Sequence, residues 1–412
     1  MTTNQRPTSS ILSAPGARAL IGSSILARLP LAMFSIALLV NAQRVTGSFA
    51  VAGAVSGAYA ISAAASAPLL GGLVDRRGQT AVLIGTAVVA ALALVTTGVL
   101  PASTSPVVLV ALGAVTGLAT PPLSACVRTL LPGLISEPGR LPALFAFEST
   151  VLEVTFVLGP PLALGIGALW SAGAALASSG IVMLVCTLAF AVQPASRAWR
   201  PDPARPRRPG RSLRSPAIFT LALIEVGTGV VFGATEVGVT AAAKALGSTA
   251  AAGPLLGLWG IGSLVGGIAA TRLGGGAKRA GGLAGLLAAL AVAHGALLLS
   301  TGSVLALGGV ILLAGATIAP TAASIYAMVD RAAPAGSRTE AFSWVETASS
   351  SGAALGAAVA GAIVQAAGAR AAFAFAGLAG AVALTVALIG SRRLDGVEDD
   401  APEPGCPAHA PA

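Results

Sequence analysis

The chain has 412 residues, of which 55% are hydrophobic and only 9% charged, and its mean hydropathy is +0.87. Soluble domains carry about 25% charged residues, so a large water-soluble enzyme is excluded. Disorder over most of the chain is excluded too, because it needs low hydrophobicity. The 52 glycines and 26 prolines follow no three-residue period, which removes collagen-like structure. What remains is an all-α protein that crosses a membrane many times.

A membrane helix needs about 20 mostly apolar residues. In chain order the sequence predicts twelve such runs, at 19–42, 48–73, 80–100, 106–127, 142–168 and 171–193, then 216–242, 250–271, 280–300, 303–327, 340–366 and 370–391. The first run lacks a short apolar core with a small-residue cleavage site behind it, so it reads as an uncleaved first span. The predicted organisation is a tail over 1–18, a six-helix bundle over 19–193, a basic linker over 194–215, a second bundle over 216–391 and a disordered tail over 392–412. The linker holds Arg197, Arg200, Arg205, Arg207, Arg208, Arg211 and Arg214 among its prolines and cannot bury an apolar face.

The net charge of +9 does not point to nucleic acid, because the basic residues lie between apolar runs. With twelve spans, only Arg44, Lys244 and Arg370 fall on one side, and the rest gather on the side of both termini. That asymmetry is the positive-inside rule, so both termini are expected to be cytoplasmic in a cell membrane. The three cysteines, Cys126, Cys186 and Cys406, have no metal-ligand spacing and imply neither zinc nor a disulfide framework.

The halves repeat. GLATPPLSACVRTLLP followed by ALFAFESTVLEV corresponds to GATIAPTAASIYAMVDRAAP followed by AFSWVETASSSG, so that Gly117, Pro122 and Glu148 match Gly315, Pro320 and Glu346 at one offset of 198 residues. Internal repeats of this kind are common in secondary transporters.

Between the second and third runs stands Gly71-Gly72-Leu73-Val74-Asp75-Arg76-Arg77-Gly78-Gln79-Thr80-Ala81-Val82-Leu83. It resembles the loop signature of the major facilitator superfamily, G-x-L-x-D-R-x-G-R-[RK]-x-x-L, with Gln79 and Thr80 in place of the basic pair. The resemblance implies that family's fold, two pseudo-symmetric six-helix bundles, and alternating access of a small-molecule substrate. It also implies a role for the loop residues Gly71, Leu73, Asp75, Arg76 and Gly78: Asp75 at a helix N-terminus in the other half latches the cytoplasmic side. The matching loop of the second half, from Gly266 to Arg272, has no acidic residue. Gly159-Pro160 keeps part of the pattern of bacterial drug and metabolite efflux members, whereas Gly113 stands where they carry an arginine.

Ionisable groups inside membrane helices are costly and mark ion pathways. Glu225 and Glu153 lie deepest and are the first candidates for proton coupling; Glu148 and Glu346, two turns from the cytoplasmic ends, are the next, the alternative being structural pairing with a nearby cation (Arg128 or Arg140 for Glu148) that holds the cytoplasmic gate. Glu236 lies nearer the outer end. Arg28 either reaches back to the interface or faces the substrate cavity and meets a carboxylate or an anionic substrate. Phe34, Tyr59, Phe156, Phe232, Trp259 and Tyr326 are the candidates for gripping an apolar ligand. Glycine pairs four apart, at 53/57, 113/117, 262/266 and 352/356, read as close helix contacts.

The expected activity is proton-coupled efflux of a small organic molecule by a monomer in contact with membrane lipid, without cofactor or metal. Its rivals are a proton-symport importer of a sugar or other nutrient and a receptor or regulator that keeps the fold without transporting. With only His294 and His409 as histidines and no nucleotide-binding loop, an enzyme is not expected.

Overall fold

A computed structural model describes residues 17–101, 103–134, 140–200 and 212–395. The first half has α1 (Ala17–Thr46), α2 (Phe49–Arg77), α3 (Gln79–Val99), α4 (Pro106–Leu118), α5 (Leu123–Leu130), α6 (Leu141–Leu169) and α7 (Ala172–Ala191). The second has α8 (Pro216–Ala245), α9 (Ala252–Arg272), α10 (Ala280–Ala296), α11 (Val304–Gly315), α12 (Ile318–Ala332) and α13 (Arg338–Ile389). A short helix, Pro194–Ala198, follows α7. The 201–211 part of the basic linker, and both tails apart from residues 17–18 and 392–395, lie outside the described residues.

Ten stretches among the described residues are long and apolar enough to cross a membrane. In two of them the helix is interrupted: α4 gives way to α5 at Pro121-Pro122, and α11 to α12 just ahead of Pro320. At Pro121-Pro122 the residue before proline is pushed out of helical geometry, and Pro320 has no N–H to offer the Ala316 carbonyl four residues back, so both breaks follow from the sequence. The stretch α13 runs for 52 residues but contains Gly368 at φ +78°. That backbone suits glycine alone, and it divides α13 into two segments of membrane length, 338–367 and 369–389. With α6, 29 residues long, the arrangement is consistent with twelve spans in two pseudo-symmetric bundles.

Within the first bundle α1 packs on α6 and α7, α2 on α4, and α3 on α7; within the second α8 and α10 pack on α13, and α9 on α11. Glycines set the closest of these approaches. An added Cβ at Gly113 or Gly117 would strike the α2 backbone at Val55 or Tyr59. One at Gly262 or Gly266 would strike α11 or Ala316 just beyond it, and one at Gly352 or Gly356 would strike α8. Gly53 and Gly57 differ from the expectation: a Cβ on either would meet open space, so they hold no helix pair together.

The apolar packing shows which end is shut. One buried cluster at the end carrying the termini draws on both bundles, from Leu20, Val74 and Phe145 to Ile218, Val329 and Phe342. At the other end the clusters separate: Phe34, Leu94 and Leu176 belong to one half alone, and Val231, Leu290, Ala376 and Phe373 to the other. Among the described residues the bundles share a buried apolar cluster at the terminus end and keep separate ones at the opposite end.

Candidate functional site

Two elements of the site lie between the bundles, a latch and a charged centre. At the latch, the last turn of α2 runs against the start of α13. Gly71 makes this possible, since a Cβ there would meet Ser343 and the Thr339 carbonyl. One turn on, Asp75 is 3% exposed and accepts hydrogen bonds from the backbone N–H of Glu340 at 2.9 Å and of Thr339 at 3.3 Å. The first N–H groups of a helix have no partner of their own, and the dipole adds positive potential there, so a carboxylate satisfies both. Thr129 and Thr339 hydroxyls meet at 3.2 Å beside it, and Thr347 donates to the Ala64 carbonyl at 3.3 Å. Gly78 ends α2 with φ +92°. Leu73 packs on the shared apolar cluster and Arg76 is exposed.

Gln79, which stands where the family signature has a basic residue, is fully buried. Its amide donates to the Cys126 carbonyl at 3.3 Å, and the Ser196 hydroxyl donates to its carbonyl oxygen at 3.3 Å. An arginine at this position would put a charge into that buried contact, so the departure from the signature has a packing reason.

The charged centre is assembled from five helices. Glu148 on α6, 2% exposed, accepts from Arg28 Nη1 on α1 at 2.5 Å and from Arg128 Nε on α5 at 3.3 Å. Arg28 also donates to the Ser24 carbonyl and hydroxyl, each at 3.2 Å. Of the two readings of Arg28, the carboxylate pair is the one the structure has; the side chain is 1% exposed and does not reach back to an interface. Arg128 spans the bundles. Its guanidinium lies 3.7 Å from the ring centroid of Tyr326 on α12, and its Nη1 stands 3.7 Å from Glu346 Oε2 on α13, too far for a hydrogen bond.

The sequence places Arg128 just past the end of the 106–127 run, as a loop cation on the basic side. The structure corrects this: α5 restarts after the proline break and carries Arg128 into the centre, where it is 1% exposed. The signal that would have found it is the repeat itself, because Tyr326 stands 198 residues after Arg128 and the two residues stack on one another.

Beside this cluster is a cavity of about 100 Å³ whose lining includes Ser149 from the first bundle and Glu225, Thr228, Phe232, Tyr326 and Ser349 from the second. Glu225 is 5% exposed; its carboxylate accepts from Thr228 Oγ1 at 2.8 Å and from the Ser349 hydroxyl. Ser149 Oγ is buried without a hydrogen-bond partner. Phe232 stands edge-on to Trp259 at 5.6 Å, and Trp259 Nε1 donates to His294 Nε2 at 3.1 Å. His294 Nδ1 is 2.9 Å from the Leu290 carbonyl, so one nitrogen accepts and the other donates, as in a neutral ring. Phe34 and Tyr59 pair edge-on at 5.3 Å within the outer packing of the first bundle. Glu236 is exposed near the outer end of α8. The side chains of Glu153 and Phe156 lie outside the described residues.

Comparison with known proteins follows the same lines. The pattern of the Major Facilitator Superfamily matches residues 20–335 and 237–411. No curated protein matches. A bacterial homologue of the iron transporter ferroportin, solved in an outward-facing state, aligns with a TM-score of 0.73 at 16% identity, over 90% of this chain and 98% of that one. The same homologue in an outward-facing state with soaked iron gives 0.67 at 19% identity, over 92% and 98%. The human organic anion transporter MFSD10 (TETRAN) gives 0.65 at 18% identity, over 90% and 99%. Signature loop, repeated halves and sequence pattern agree: the chain belongs to the Major Facilitator Superfamily and is a multi-pass membrane transporter.

Proposed function

We propose that this transporter exports a small, mostly apolar or cationic organic molecule in exchange for protons, by alternating access between its two bundles. The carrying observation is Glu225, a buried carboxylate on the wall of a cavity that both bundles line. A carboxyl group inside a membrane helix marks an ion or proton pathway, and its place on the shared wall lets one group meet proton and substrate in turn. Thr228 and Ser349 satisfy the ionised form; on protonation they release it to rotate toward substrate. The apolar cluster shared at the terminus end and the separate ones at the far end correspond to an outward-facing state. On this reading both termini are cytoplasmic, the membrane is the cell membrane, and the working unit is a monomer of two bundles joined by the 194–215 linker.

Arg28, Arg128 and Glu148 serve as the fixed counter-charge. Truncating one partner of such a buried set is costly, so these groups hold geometry while Glu225 changes protonation. The latch through Asp75 keeps the cytoplasmic end closed until substrate and proton have exchanged. Proteins of the same fold at under 20% identity include a homologue of an iron transporter and an organic anion transporter, so the substrate class rests on the lining here. That lining offers one carboxylate, hydroxyls and aromatic rings.

The test is proton movement in proteoliposomes loaded with a pH dye, against a panel of lipophilic cations, antibiotics and sugars. Proton flux opposite to an organic substrate, abolished in Glu225→Gln, is the expected result. Flux in the same direction as a sugar would make the protein an importer. Binding without any flux would make it a receptor.

A further inference from the structure

We propose that a groove on the membrane-facing side of α2, α3 and α4 holds one acyl chain of an anionic phospholipid, with the headgroup phosphate on Arg77. The groove encloses about 470 Å³ and is lined by Leu73 and Arg77 of α2, by Val82, Gly85 and Val89 of α3, and by Leu118 of α4, among others. That volume falls within the range of about 300–1,000 Å³ typical of small-ligand sites. Its walls are aliphatic. The Thr86 hydroxyl on its side is already committed to the Val82 carbonyl at 2.8 Å, which leaves the Arg77 guanidinium as the charged group at the mouth.

Shape and charge select the occupant. The α3 part of the lining runs from Ala81 to Val89, about 12 Å at 1.5 Å per residue, or close to half of a hydrocarbon core about 30 Å thick. The groove therefore begins where α2 ends in basic residues and stops near mid-membrane, as a single lipid tail does. Gly85 forms an open stretch of floor, since a Cβ there would meet nothing within 4 Å.

Arg76 and Arg77 are both exposed at the mouth, and the segment carrying exposed Arg197 and Arg200 is tied to the same turn through the Ser196–Gln79 hydrogen bond. The acidic group of that turn, Asp75, is turned away into the latch. The local field therefore favours a phosphate over a neutral or cationic headgroup. Leu73 and Arg77 flank Asp75 on one helical turn, so a lipid seated here braces the element that closes the terminus end. The assignment rests on the membrane location alone and is independent of substrate and direction of transport.

The experiment uses the purified full chain, stripped of lipid in detergent and titrated with phosphatidylglycerol or phosphatidylcholine, with bound lipid counted by native mass spectrometry. One phosphatidylglycerol is expected to bind more tightly than phosphatidylcholine. Arg77→Gln should weaken it about five-fold, the ratio set by the roughly 1 kcal/mol of one basic side chain at an anionic surface. Arg77→Lys should keep it. Gly85→Trp, whose Cβ meets nothing within 4 Å and whose ring takes up space in the groove, should remove it. Unchanged unfolding temperatures in the Arg77→Gln and Gly85→Trp variants exclude a folding defect. Equal binding of the two lipids, wild-type retention in both variants, or a groove that takes an apolar amine but not phosphatidylglycerol would overturn the proposal.

Discussion

The two bundles share a backbone and divide the chemistry. At positions 198 residues apart the first bundle has Arg128 and Glu148, and the second has Tyr326 and Glu346. Glu148 is 2% exposed with both carboxylate oxygens held by arginines, whereas the Glu346 side chain is 45% exposed with one cation at 3.7 Å. The repeat preserved where a side chain is presented and let its identity diverge. One bundle became a locked ion cluster, and the other supplies an aromatic face and carboxylates that are free to respond.

The largest effect should come from breaking the locked member. Glu148→Gln leaves Arg28 and Arg128 buried without a counter-charge, and removing one partner of a buried pair costs about 3–5 kcal/mol. We expect a large fall in thermal stability and in folded yield. Glu346→Gln, at the matching position, should change stability by less than about 1 kcal/mol, as solvated pairs do. Equal losses in the two variants, measured by unfolding in detergent, would show that the halves are energetically alike despite their different burial.

The latch makes the same contrast at the edge of the interface. In the first bundle Asp75 meets two N–H donors at the start of α13. In the second, the turn just after α9 meets the start of α6 through Gly275 pressed on Pro142 and Ala143. Proline has no N–H to offer, so a carboxylate on that side would gain less. Asp75→Asn removes charge-assisted hydrogen bonds worth about 1.5–3 kcal/mol each. It should shift the population about ten-fold or more toward forms with the terminus end open. Spin labels replacing exposed Arg76 and Arg338, on a cysteine-free background, would read that shift as a longer distance. An unchanged distance distribution would mean that the apolar cluster alone keeps this end shut.

Much of this was legible in the sequence because charge inside apolar runs stands out. Glu148, Glu225, Glu346 and the Asp75 loop were all visible there, and the runs 340–366 and 370–391, with Arg370 at their junction, already separated the last two spans. Arg128 was not visible as a buried residue. Eight residues of helix after a Pro-Pro break look like a loop by hydropathy, and only tertiary packing carries them inward. The facing of aromatic and glycine residues was also hidden, because lipid and protein interior accept apolar side chains equally. Hence Gly53 and Gly57 look like Gly113 and Gly117 in sequence, yet only the second pair touches a neighbouring helix.

The finest test concerns Tyr326, which stands in the second bundle where the first has Arg128. Its ring lies against the guanidinium of Arg128 and packs edge-on to Phe342 at 6.4 Å. A desolvated cation–π contact is worth about 2 kcal/mol. Tyr326→Leu keeps an apolar side chain but discards the ring's negative face, so it should lose stability of that order. Tyr326→Phe keeps the ring and removes only the hydroxyl. If the aromatic face is what Tyr326 contributes, the phenylalanine variant will unfold near the wild-type temperature and the leucine variant well below it. If both unfold alike, the hydroxyl or simple packing is what the second bundle gained. The stacked pair would then be a consequence of the fold's symmetry and not a contact that joins its halves.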